Sequence, residues 1–167
     1  MTRKTKSKAR FFSHLDLEGK AQMVDVSGKP PTQRTAEAIA RVQMNSKVLG
    51  LLRSGSIPKG DVWAASRIAG ILAAKKTHEL IPLCHPLKLE DVKISFAWVR
   101  EGVEIFSFVK CEGKTGAEME ALTAVTVAAL TLYDMCKAVD KGIVIGPIYL
   151  KQKTGGKSGI YVRQEWQ

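Results

Sequence analysis

The run LEDVKISFAWVREGVEIFSFVKC, residues 89–111, leads directly into EGKTGAEMEALTAVTVAALTLYDMCKAV, residues 112–139, and this join decides the fold. In the first run, β-branched and aromatic residues flank Arg100, Glu101 and Gly102, which predicts a hairpin of strands 89–99 and 103–111. In the second, Thr115 and Glu118 stand at capping-box spacing before residues 117–139, a stretch with neither Gly nor Pro, so a long helix is expected there. Gly142 stops it, and residues 143–150 read as a last strand. Working upstream, DVWAASRIAGILAAKK (61–76) predicts a helix with Asp61 as N-cap and a stripe of Val62, Ala65, Ile68, Ala69 and Leu72. Residues 46–52 suit a short helix and AEAIARVQM (36–44) a strand, although its Ala and Glu would equally allow a helix. Strand, helix, hairpin, helix, strand is the order of an α+β, ferredoxin-like βαββαβ plait, an antiparallel sheet with helices packed on one face.

The chain has 167 residues, 45% of them hydrophobic and 25% charged, which suits one domain, placed at residues 11–159. Net charge is +10, and half of the excess sits in MTRKTKSKAR, residues 1–10, read as a basic, disordered, solvated tail; residues 160–167 form a C-terminal tail. The basic stretch lacks the apolar segment of a secretory signal. Cys84, Cys111 and Cys136 are odd in number and form no CxxC, which points to a reducing compartment, the cytoplasm. No run of about 18 apolar residues occurs, so no membrane span is expected.

Several side-chain groups could carry chemistry. Asp134 and Lys137 share a helical face, with Lys141 a turn further on, and a carboxylate beside ammonium groups suits proton transfer on a phosphorylated substrate as well as an ordinary surface ion pair. Glu118 and Glu120 lie at the other end of the same helix. Glu120 and Asp134 are fourteen residues apart, roughly 21 Å along the axis, too far for one compact ligand within one chain. Either the ligand is large, or an oligomer joins the ends of different helices, or one end is not functional. Cys84 and His85 are adjacent before Pro86, so they point apart on an extended segment and make neither a zinc set nor a nucleophilic pair. His85 is open to either a ligand hydrogen bond or a structural role. KTGGKSG (153–159) fails the P-loop test, yet Gly155 and Gly156 with Lys153 and Lys157 could cup a phosphate. With Lys59, Arg67 and Arg34, these cations suggest a distributed polyanion site.

The strings MVDVS (23–27), KGDV (59–62), SRIAGI (66–71), LIPLCHPL (80–87), KTGAEMEALTAV (114–125), LYDMCKAVDK (132–141) and GGKSG (155–159) closely resemble the molybdenum cofactor biosynthesis protein C family, the cyclic pyranopterin monophosphate synthases. The resemblance covers residues 11–159. It implies a lyase that converts a cyclised dihydro-GTP, made by a radical SAM GTP cyclase, into cyclic pyranopterin monophosphate and pyrophosphate, with no redox cofactor; no metal-ligating residue is assigned. It also implies a homohexamer built as a trimer of dimers, with the site between subunits. By motif position, Asp134, Lys59 and Lys137 resemble the catalytic residues. Leu83, Cys84, His85, Met119 and Glu120 resemble the segments facing the purine-derived rings, and Arg34, Lys153 and Lys157 the cations for the triphosphate. Acid or base work near neutrality would call for depressed pKa values at Lys59 and Lys137, which crowding by like charges could supply.

A basic plait is also how RNA-recognition modules look, so a nucleic-acid-binding module is the alternative. Against it, VEIFSFVKC (103–111) lacks the RNP1 glycines and stacking aromatics, and much of the charge lies in the separable tail.

Overall fold

A computed structural model describes residues 18–164; the basic stretch 1–10 lies outside the described residues. The elements follow the order β1 (Thr32–Gln43), α1 (Ser46–Arg53), α2 (Val62–Lys75), α3 (Thr77–Leu80), β2 (Leu89–Val99), β3 (Gly102–Gly113), α4 (Glu118–Cys136), β4 (Val144–Thr154) and β5 (Tyr161–Val162). The sheet order is β2-β3-β1-β4-β5, antiparallel at every pairing, which is the expected plait with a short fifth strand added at one edge. Alternation sets the buried face. Ala36, Ala38, Ala40 and Val42 of β1 and Val103, Ile105, Val109 and Cys111 of β3 point to the helices and are buried. Against them α4 buries eight residues, Ala121, Ala124, Val125, Ala128, Ala129 and Leu132 among them.

Asp61 caps α2 as expected, its carboxylate accepting from the Ala64 N–H at 3.0 Å. Of the stripe expected on α2, only Val62 is buried. Ile68 and Leu72 are exposed, and the buried residues are Val62, Ser66, Gly70, Ala73 and Ala74. The reason is the closeness of α4: a Cβ on Gly70 would come within 2.9 Å of the Ala124 carbonyl oxygen, so small residues line the contact and large ones turn outward. The capping box is also absent. Ala117 is the N-cap of α4 without a side-chain bond, and the Glu118 carboxylate folds over Gly116 instead of pairing with Thr115. α4 ends at Cys136 rather than Val139, and the last long strand runs on to Thr154, which brings Lys153 into the sheet. By length and composition α4 alone among the described helices is apolar enough to cross a bilayer, and it is so because it supplies one wall of the buried core.

The Gly70 contact is open to test. Gly70→Val should destabilise the fold by about 1–3 kcal/mol in chemical denaturation, since the α4 backbone has nowhere to go. Gly50→Ala, at a helical position with open space around it, should instead gain up to about 1 kcal/mol.

Candidate active site

One cleft of about 490 Å³ opens where the segment before β1, the LCHPL segment, the turn into α4 and the glycine loop after β4 meet. Leu83, Cys84, His85, Met119, Glu120, Arg34 and Lys157, all expected from the sequence, line it. Lys114 donates from Nζ to the Ser27 carbonyl at 2.8 Å and so ties the leading segment to the turn before α4. Arg34 clamps the same turn: its Nε donates to the Gly113 carbonyl at 2.9 Å and its Nη2 to the Lys114 carbonyl at 3.2 Å. Gly155 and Gly156 have φ of 91° and 71°, and a Cβ at either would strike the Gln33–Arg34 backbone or the Arg34 guanidinium. Glycine is needed there for the loop to close over Arg34. Lys153 does not line the cleft itself, but its ammonium bonds the Ser158 hydroxyl, which does.

Lys29, Arg34, Lys114 and Lys157 bring four cations to the cleft against Glu118 and Glu120, which favours an anionic ligand. Glu120 is only 3% exposed. Burial, reinforced by the neighbouring Glu118 charge, pushes its carboxyl up to about 7, so near neutrality it is available as a hydrogen-bond donor. Burial and the Glu120 charge also raise the Cys84 thiol, which removes it as a ready nucleophile. Among the described residues no three His, Cys, Asp or Glu side chains gather as a metal set.

The other group lies at the far end of α4. Lys59 Nζ donates to Asp134 Oδ2 and to the Asp134 carbonyl, both at 2.8 Å, and Lys137 Nζ meets Asp134 Oδ1 at 2.7 Å. The hydrogen bonds from Lys137 and Lys59 hold the Asp134 carboxyl down to about 2. The depressed value expected for Lys137 is not found: its bond to Asp134 and the carboxylate charge raise it, because the nearest partner is an anion rather than another cation. None of Lys59, Asp134 and Lys137 lines the cleft, so the expected site is brought together in two parts. Arg67 belongs to neither: it stands over the Phe96 ring, 5.5 Å from its centroid, and donates to the Ile94 carbonyl.

The cleft also holds Val24, Val26, Lys29, Lys114 and Ser158, none of them marked as a site residue by its type and spacing alone. For Val24, Val26 and Lys114 the signal lies in the strings MVDVS and KTGAEME, which contain them.

Fold and cleft together define an α+β plait with a cationic pocket at the start of its core helix. A family model described as "MoaC family" matches residues 23–156, and the chain belongs to that family. It is 57% identical over 156 residues to the cyclic pyranopterin monophosphate synthase of Heliobacterium modesticaldum, covering 92% of this chain and 98% of that one. Identity is 55% over 155 residues to the protein of the same name from Desulfitobacterium hafniense (92% and 95%) and 52% over 157 residues to that of Bacillus subtilis (92% and 92%).

Glu120 makes stability depend on pH in a definite direction. Its carboxyl rises from the usual 4.5 to about 7 on folding, so the folded chain keeps a proton that the unfolded chain has released. Stability therefore falls as pH rises from about 4.5 to about 7, by up to roughly 3 kcal/mol. In thermal melts between pH 5 and 8.5, Glu120→Gln should flatten that loss and melt above the wild type at the alkaline end.

Proposed function

We propose that this chain is a cyclic pyranopterin monophosphate synthase, a lyase of molybdenum cofactor biosynthesis. It converts 3',8-cyclo-7,8-dihydro-GTP, supplied by a radical SAM GTP cyclase, into cyclic pyranopterin monophosphate and pyrophosphate. The observation that carries the reading is a four-cation cleft and a Lys–Asp–Lys cluster at opposite ends of one helix, on a chain 52–57% identical to synthases of that name across 92% of its length. The nucleic-acid alternative has no comparable support.

The parts divide the work by chemistry. Arg34, Lys153 and Lys157, joined by Lys29 and Lys114, take the triphosphate, and Leu83, Cys84, His85, Met119 and Glu120 face the rings. Charge neutralisation lets a sugar hydroxyl attack the α-phosphorus; the bond from that phosphorus to its bridging oxygen breaks, and pyrophosphate leaves with the electron pair. Asp134, unprotonated across the physiological range, accepts a proton, while the Lys59 and Lys137 ammonium groups donate to or steady developing anions during ring rearrangement. Each site is shared by two protomers, which resolves the separation of roughly 21 Å along the helix, and three dimers assemble as a hexamer in the cytoplasm. The three cysteines are free thiols, as a reducing compartment keeps them.

On the authentic substrate, Asp134→Asn, Lys59→Ala and Lys137→Ala should each lower kcat for pyrophosphate release by about 10²–10⁴. Lys157→Ala should act mainly on KM, raising it about tenfold. Near-normal kcat in all three of the first set would remove that cluster from the chemistry.

A further inference from the structure

β2 is an edge strand, and its two halves are finished differently. Charges guard the first half: Asp91 pairs with Lys93 at 2.9 Å and Glu90 with Lys110 at 3.5 Å. The second half, Ile94 to Trp98, reads ISFAW and carries no charge, proline or glycine. The turn at Arg100 and Glu101 closes on the Val99–Gly102 pair, so Val99, Ala97 and Ser95 bond to β3. Ile94, Phe96 and Trp98 therefore turn their backbone N–H and C=O groups away from β3. The Ile94 carbonyl accordingly accepts from Arg67 of α2 at 3.3 Å, and among the described residues nothing takes up the outward groups of Phe96 and Trp98.

A cavity of about 420 Å³ follows this stretch, lined by Ser95, Phe96, Ala97 and Trp98 of the strand together with Trp63 and Arg67 of α2. Rings form its wall. Trp63 meets Phe96 at 5.0 Å and Trp98 at 5.4 Å between centroids, and Trp98 is 45% exposed. Arg53 lies 5.1 Å over the Trp98 ring and Arg67 stands over Phe96, and among the described residues neither has a carboxylate at ion-pair distance. The slot shares no residue with the cleft or with the Lys59–Asp134–Lys137 cluster.

We propose that this edge takes up an extended, acidic segment of another protein as a further strand beside β2. The backbone of that segment pairs with the outward groups of Phe96 and Trp98, and an aromatic side chain enters the slot between Trp63, Phe96 and Trp98. Carboxylates two positions to either side share the same face and meet Arg53 and Arg67. The acidic character follows from charge: two guanidinium groups stacked on ring faces border a slot whose lining holds no acid. A second copy of this chain fits less well, because the acidic residues of its own β2, Glu90 and Asp91, are already held by Lys110 and Lys93. The inference goes beyond the reaction proposed above and does not depend on it.

The test titrates the full chain with two capped heptapeptides, Thr-Asp-Thr-Phe-Thr-Asp-Thr and Thr-Lys-Thr-Phe-Thr-Lys-Thr, followed by calorimetry and by amide hydrogen exchange. The acidic peptide should bind with a Kd on the order of 10–100 μM and the basic one about tenfold more weakly or worse. Exchange should slow at the Phe96 and Trp98 amides when the acidic peptide is bound. Trp98→Ala should abolish binding, and Arg53→Glu should turn the preference toward the basic peptide, while both variants keep the wild-type circular dichroism and rate of pyrophosphate release. No binding of the acidic peptide, equal affinity for the two, or binding without protection of those amides overturns the proposal. Self-cross-linking of Ser95→Cys under mild oxidation overturns it as well, because a second copy then occupies the edge.

Discussion

The stiffness of α4 is the constraint on which the rest depends. A helix of 19 residues cannot bend its ends toward each other, so the cleft around Glu120 and the ion cluster at Asp134 are held roughly 21 Å apart in every copy of the chain. The helix packs closely for a reason seen in its sequence. Alanines at 121, 124, 128 and 129 let it lie close against the sheet, and Gly70 lets α2 lie close against it. Each end therefore keeps a fixed position relative to the other.

The two ends are prepared differently. At Asp134 two lysines keep a solvent-facing carboxylate ionised. At Glu120 burial does the opposite and favours the neutral acid, within a wall that otherwise supplies cations. One end thus carries an ionised carboxylate between two ammonium groups, and the other a neutral acid in a cleft lined by four cations.

Much of this was legible in the amino-acid order. The hairpin showed itself through β-branched and aromatic residues around Arg100–Gly102, and α4 through a long stretch without Gly or Pro. The α2 stripe misled because periodicity assumes that large apolar residues face the core, whereas a helix pressed against another buries its smallest side. Thr115 and Glu118 had the spacing of a capping box but not its geometry, which depends on how the chain leaves β3. Residue types located Asp134, Lys59 and Lys137, but only the fold shows Asp134 holding both ammonium groups, and so why Lys137 is raised rather than depressed. Lys29 and Lys114 escaped notice because lysines in a basic chain are common, and only the Lys114 bond to Ser27 shows that the leading segment forms a wall of the cleft.

The most direct test of the central claim is a crystal structure of the Asp134→Asn protein with the cyclised dihydro-GTP bound. The account predicts a ligand whose phosphates touch Arg34 and Lys157 of one protomer while its reacting atoms lie against Lys59 and Lys137 of the next. A ligand held wholly by the residues of one protomer, with the second helix end facing solvent, would contradict it.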